Sequence, residues 1–100
     1  MERGDEAIEG QFAAWDRQIA RLQERCLAAS GPEADGLRAL LAELAMARER
    51  AWSRWEVARA GGMWVTAEDM RRFEEAMREA AEAFRRAGGE GPEQASLRAA

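Results

Sequence analysis

Reactive chemistry needs groups that exchange protons, attack carbon or phosphorus, or hold a metal, and this 100-residue chain carries few of them. It has no histidine and no tyrosine, and its 15 basic residues are all arginine. The nucleophiles are Cys26, Thr66 and the serines Ser30, Ser53 and Ser96, and the bases open to them are carboxylates. A Ser-His or Cys-His pair cannot form within one chain, which excludes triad-type nucleophilic catalysis there. Neighbouring acids such as Glu74 and Glu75 point to different azimuths of a helix and read as a solvated face. Cys26 falls on an apolar stripe and reads as a packed thiol rather than a reactive one. The expectation is a non-enzymatic protein with no catalytic residues.

Metal chemistry is equally sparse. One cysteine and no histidine exclude the common zinc sets within one chain. Met63, Met70 and Met77 recur every seven residues, a spacing open to a soft metal. Beside Phe73 and Phe84, heptad-spaced methionine reads as core filling. Neither metal nor cofactor is expected.

Two constellations could bind something. Trp52, Val57, Met63 and Trp64 are large apolar residues in excess of what one helical seam needs, with Arg50 and Arg54 beside them. Tryptophan and arginine are enriched at interface hot spots, so these six are the candidate protein-interaction residues. The second constellation is a small-molecule pocket lined by Trp15, Trp55 and Phe73, where Arg48 would orient a small hydrophobic or aromatic anion. Arg48 suggests it by sitting at an apolar level of the helix; alternatively its guanidinium reaches past an apolar neighbour to water.

Charge narrows the partners. The net charge is −4 and is spread evenly along the chain. Arg17, Arg21 and Arg25 form one basic ridge and Arg48, Arg50, Arg54 and Arg59 another, but Asp16, Glu24, Glu49 and Glu56 interleave with them. No segment is basic enough to bind nucleic acid through phosphate neutralisation. The ridges read as solvated faces, or as a surface for an acidic protein. No apolar run approaches the roughly 20 residues needed to cross a bilayer, and the acidic N-terminus lacks an apolar signal core. A cytoplasmic location without membrane association is expected, and the lone cysteine suits a reducing compartment.

The elements that must position these residues are helices. Ile8, Phe12, Trp15, Ile19, Leu22, Cys26 and Ala29 alternate spacings of four and three, predicting a first helix over about 6–30 that Gly31-Pro32 ends. Gly10 weakens its first turn. Leu37, Leu40, Leu41, Leu44, Ala47, Ala51, Trp55 and Ala58 predict a second helix over 33–60, opened by Pro32-Glu33 or capped by Asp35, and stopped by Gly61-Gly62. Thr66 and Asp69 have capping-box spacing, and Val65 and Met70 that of a hydrophobic staple. They open a third helix over 66–87 with the seam Met70, Phe73, Met77, Ala80, Phe84 and Ala87. Glu68–Arg72, Glu74–Arg78 and Glu82–Arg86 brace it as i,i+4 pairs. Residues 91–100 echo 31–40 at six of ten positions, so 90–100 reads as a tail or a short helical stub after a single domain, 1–89.

Short joints make successive helices antiparallel. The expected fold is an all-α antiparallel three-helix bundle, or a long hairpin with a third helix beside it, with coiled-coil-like seams. Assuming level helices, Phe12 meets Trp52 and Phe73, Trp15 meets Arg48 and Met77, and Phe84 lies at the far end with Leu22 and Leu41. The function expected is a protein-interaction module (adaptor, chaperone or regulator) that engages a partner or a second copy near the second joint. The alternatives are a small-molecule sensor or carrier using the aromatic pocket, and a mobile-element accessory or inhibitor protein.

Overall fold

The computed structural model describes residues 2–88. They form three α-helices, α1 (Glu2–Ala28), α2 (Gly31–Ala60) and α3 (Ala67–Arg86), with a single 3-10 turn at Gly62–Trp64 between the last two. There is no strand among the described residues, and the all-α three-helix reading holds. The expected stub at 90–100 lies outside the described residues. α1 begins earlier than its spacing predicted and passes through Gly10, which faces open space on the exposed side. The cost of a helical glycine, about 1 kcal/mol, is offset by the seam of packed side chains that continues through that turn.

Each joint has a definite local cause. Ser30 has the extended backbone of an N-cap but its hydroxyl makes no cap bond. The reversal is made by Gly31, at φ +61, and by Pro32 in the first turn of α2. A positive φ costs an L-residue about 1–2 kcal/mol and glycine almost nothing. Asp35, the alternative cap, instead pairs with Arg38 at 2.6 Å, one turn along the exposed face. The pair's hydrogen bond raises the Arg38 pKa above its ordinary value. At the start of α3 the capping box is complete. Thr66 Oγ1 accepts from the Asp69 amide at 3.0 Å, and Asp69 Oδ2 accepts from the Thr66 amide at 3.0 Å. Those bonds hold the Asp69 carboxyl below its ordinary pKa.

Along α3, Glu68–Arg72 closes at 3.2 Å and Glu82–Arg86 at 4.0 Å. Glu74–Arg78 is not among the ion pairs of the described residues; Arg71 bridges Glu68 and Glu75 instead. All are exposed and stabilise by a few tenths of a kcal/mol each.

α2 lies against both other helices and supplies the largest share of the core, including Leu44, Ala47, Ala51 and Trp55. Phe12 of α1 meets Trp52 edge-on at 5.1 Å, as level antiparallel helices require. Trp55 packs on Phe73 at 5.4 Å, one turn from the expected match of Trp52 with Phe73. α1 and α3 depart further from the level arrangement. Trp15 stacks on Phe84, with ring centroids 5.1 Å apart and planes 12° apart, rather than on Met77. That offset of seven residues is about 10 Å of helix rise.

Phe84 is therefore not isolated at a leucine and alanine end. It joins a continuous aromatic chain, Trp52–Phe12–Trp15–Phe84. Buried Gln18 of α1 completes the junction by donating from Nε2 to the Phe84 carbonyl oxygen at 2.9 Å. That carbonyl is one of the four at the end of α3 that lack an intrahelical donor. Cys26 is half-buried, and its Sγ points to the Ala34 carbonyl at 3.7 Å, a packed thiol at the first joint.

Candidate interaction surface

The six candidate interaction residues fall into three places. Met63 and Trp64 ride on the 3-10 turn, held by Trp64 N donating to Gly61 O at 2.9 Å and Val65 N to Gly62 O at 3.3 Å. A tight turn has no interior to hide a side chain in, and the two are 88% and 82% exposed. Val65, next along, is half-buried against the end of α2, at Gly61. So the joint buries its valine and presents its methionine and tryptophan to solvent.

Val57, Arg50 and Arg54 come together in a second place, a cleft of about 590 Å³ between α2 and α3. Met46, Ser53 and Glu49 line the same wall on α2; Arg72, Glu75, Ala76 and Glu79 line the other on α3. Met46 and Val57 are exposed although apolar, because their azimuth on α2 points away from the face that meets α1. Met46 was visible in the sequence as an apolar residue off the seam. The α3 wall was not: apart from Ala76 it is charged, and a charged stripe on a helix looks like an ordinary solvated face.

Trp52 belongs to neither place. It is half-buried, edge-on to Phe12, with the Arg48 guanidinium 5.3 Å from its ring centroid. The same guanidinium lies 5.3 Å from the Phe12 ring, and Asp16 Oδ1 accepts from its Nε at 2.8 Å while Oδ2 accepts from Nη2 at 3.2 Å. Arg48 occupies an apolar level because its guanidinium lies against two rings that meet edge-on and a carboxylate from α1 receives its fork. Stacking and bidentate pairing are both properties of a planar guanidinium. Arg48→Ala is expected to cost about 1–2 kcal/mol, and Arg48→Lys most of that, measured by urea unfolding. A loss below about 0.3 kcal/mol for both would show that the pair and the stacking carry no weight.

The other pocket candidates, Trp15, Trp55 and Phe73, are 3%, 5% and 6% exposed and packed on other rings, and none of the four residues lines the cleft. The Trp55 indole Nε1 is buried without an acceptor among the described residues. Among those residues no cluster of three or more Cys, Asp or Glu side chains is placed to hold a metal ion. No helix is long and apolar enough to cross a membrane, again among the described residues.

No protein-family model matches this chain, and neither a curated protein nor a solved structure does so.

Proposed function

We propose that the chain is a non-enzymatic, cytoplasmic helical interaction module, of the adaptor, chaperone or regulator kind, that binds protein through the outer face of α2 and α3 and the joint between them. The observation that carries this reading is the combination of an apolar-ended cleft with two large apolar side chains presented on the adjoining turn. Met46, Val57, Met63 and Trp64 are 61%, 46%, 88% and 82% exposed. Single exposed apolar residues are ordinary, but two at the ends of one cleft and two more on the turn that follows α2 mark a contact surface. Burying an exposed tryptophan removes about 150–250 Å² from water, more than any other side chain here can offer.

The test is a comparison of the wild-type chain with a Met63→Ser, Trp64→Ser variant as baits in extract from the source cell. Both residues are solvent-exposed, so the variant should keep its stability to within about 0.5 kcal/mol. A partner that the wild type retains and the variant loses at least about tenfold supports the reading. Equal retention by both baits removes the joint from it.

A further inference from the structure

The cleft between α2 and α3 has a property that a generic binding groove lacks. α2 and α3 are antiparallel, with Trp55 against Phe73, so the lining residues can be ordered along it. At one end stand Met46 and then Glu49 of α2 with Glu79 of α3; at the other stand Arg54 of α2 with Arg72 of α3 and then Val57. Ser53 and Ala76, the two small residues of the lining, fall near the middle. The span from Met46 to Val57 is about 16 Å of helix.

A stripe on one face of a helix is symmetric about its midpoint by geometry alone. The chemistry on it is not obliged to be, and here it inverts. Reflected through the centre of the cleft, Met46 exchanges with Val57, Glu49 with Arg54, and Glu79 with Arg72. Apolar ends match apolar ends and these two acids match arginines, while Arg50 falls opposite Ser53 and Glu75 opposite Ala76. Among the described residues, no ion pair within 4.0 Å involves Glu49, Arg54 or Glu79. Arg72 is shared with Glu68 on the solvent side.

From this charge inversion we infer that the cleft is filled by the same cleft of a second copy of this chain, around a two-fold axis that crosses both helices. The inference rests on the interaction-module reading and names its partner. α2 packs antiparallel on α2 of the second copy, and α3 on α3. Glu49 then faces the second copy's Arg54, Glu79 its Arg72, and Met46 its Val57, each contact being made twice, as an isologous interface requires. At the centre the small Ser53 and Ala76 leave room for the second copy's Arg50 and Glu75. A two-fold axis along the helices would instead set Glu49 against Glu79 and Arg54 against Arg72. Like charges placed face to face across an interface are strongly unfavourable, so the alternative axis is disfavoured by the same residues.

The test uses the whole chain and two single charge reversals, Glu49→Arg and Arg54→Glu, followed by sedimentation velocity across the micromolar range. Neither position is ion-paired among the described residues, and circular dichroism with thermal unfolding checks that both variants keep the fold. The wild type should dimerise, and each reversal should raise the dimer dissociation constant at least about tenfold by setting like charges together. An equimolar mixture should regain wild-type dimerisation, because each reversed end then faces an opposite charge on its mate. The double variant Glu49→Arg, Arg54→Glu should also recover self-association.

Three results would overturn the inference: a wild type that stays monomeric throughout the range, a dimer indifferent to both reversals, or folded variants whose mixture does not recover. None of these touches the retention of a different partner through Met63 and Trp64, so the general interaction reading can survive the loss of this one.

Discussion

Phe84→Ala should destabilise the chain by about 3–5 kcal/mol, more than any other single substitution considered for it. The ring is 2% exposed and stacks on Trp15, so its removal leaves a cavity bounded by an indole that has lost its partner. The site is also where α3 is tied to α1. α2 touches both neighbours along its length, whereas the α1–α3 contact depends on this stack and on the bond from Gln18 to the Phe84 carbonyl. A domain of this size loses about 4–8 °C of melting temperature per kcal/mol, so the alanine variant should melt on the order of 12–40 °C lower. Phe84→Leu retains most of the volume and should cost about 1–2 kcal/mol, which keeps a folded reference for comparison. Urea unfolding followed by tryptophan emission measures both. A loss below about 1.5 kcal/mol for alanine would mean that α2 alone organises the bundle and that the Trp15–Phe84 stack is incidental.

That junction is also where sequence reading and structure part company. Periodicity located three helices, and Gly31-Pro32, Gly61-Gly62 and the Thr66–Asp69 box located the joints between them, because those signals are local. Facing residues on α1 and α2 followed from the short joint, as the meeting of Phe12 with Trp52 shows. Two helices that are not consecutive share no joint to fix their level, so α3 could slide against α1 without changing any local pattern. Its position is decided by where the largest rings fit, and Trp15 found Phe84 rather than Met77.

Arg48 is a second case. Its oddity at an apolar level was legible, but its reason needed Asp16, which lies 32 positions away and is one acid among many on an exposed face. The cleft is a third case, half legible: Met46, Arg50, Arg54 and Val57 stand out on α2, whereas Arg72, Glu75 and Glu79 become a wall only when α3 is laid beside them.

Gly61→Ala should cost about 1–3 kcal/mol, against the sign that helix propensity assigns it. Gly61 ends α2 with φ −72 and ψ −22, a conformation any residue adopts, and replacing a glycine there with alanine would ordinarily stabilise by about 0.5–1 kcal/mol. Space reverses that sign. A Cβ on Gly61 would overlap Val65 Cγ2 and stand 2.8 Å from the Val57 carbonyl oxygen. The carbonyl belongs to the helix backbone and cannot turn aside, and Val65 is the residue that folds the joint back onto α2. Gly62 is the converse: open space surrounds it, but φ +53 places it in the left-handed region. Gly62→Ala should therefore cost about 1–2 kcal/mol through backbone strain alone.

The two glycines are separated by a second-site change. Val65→Ala removes the methyl that Gly61→Ala strikes, so the double variant should recover part of the loss. No such rescue is expected with Gly62→Ala. Thermal unfolding of the three single and two double variants decides the matter. A neutral Gly61→Ala would show that Val65 moves freely. The turn would then not fix the direction in which Trp64 is presented, and a contact surface built on Trp64 would have to be ordered by its partner.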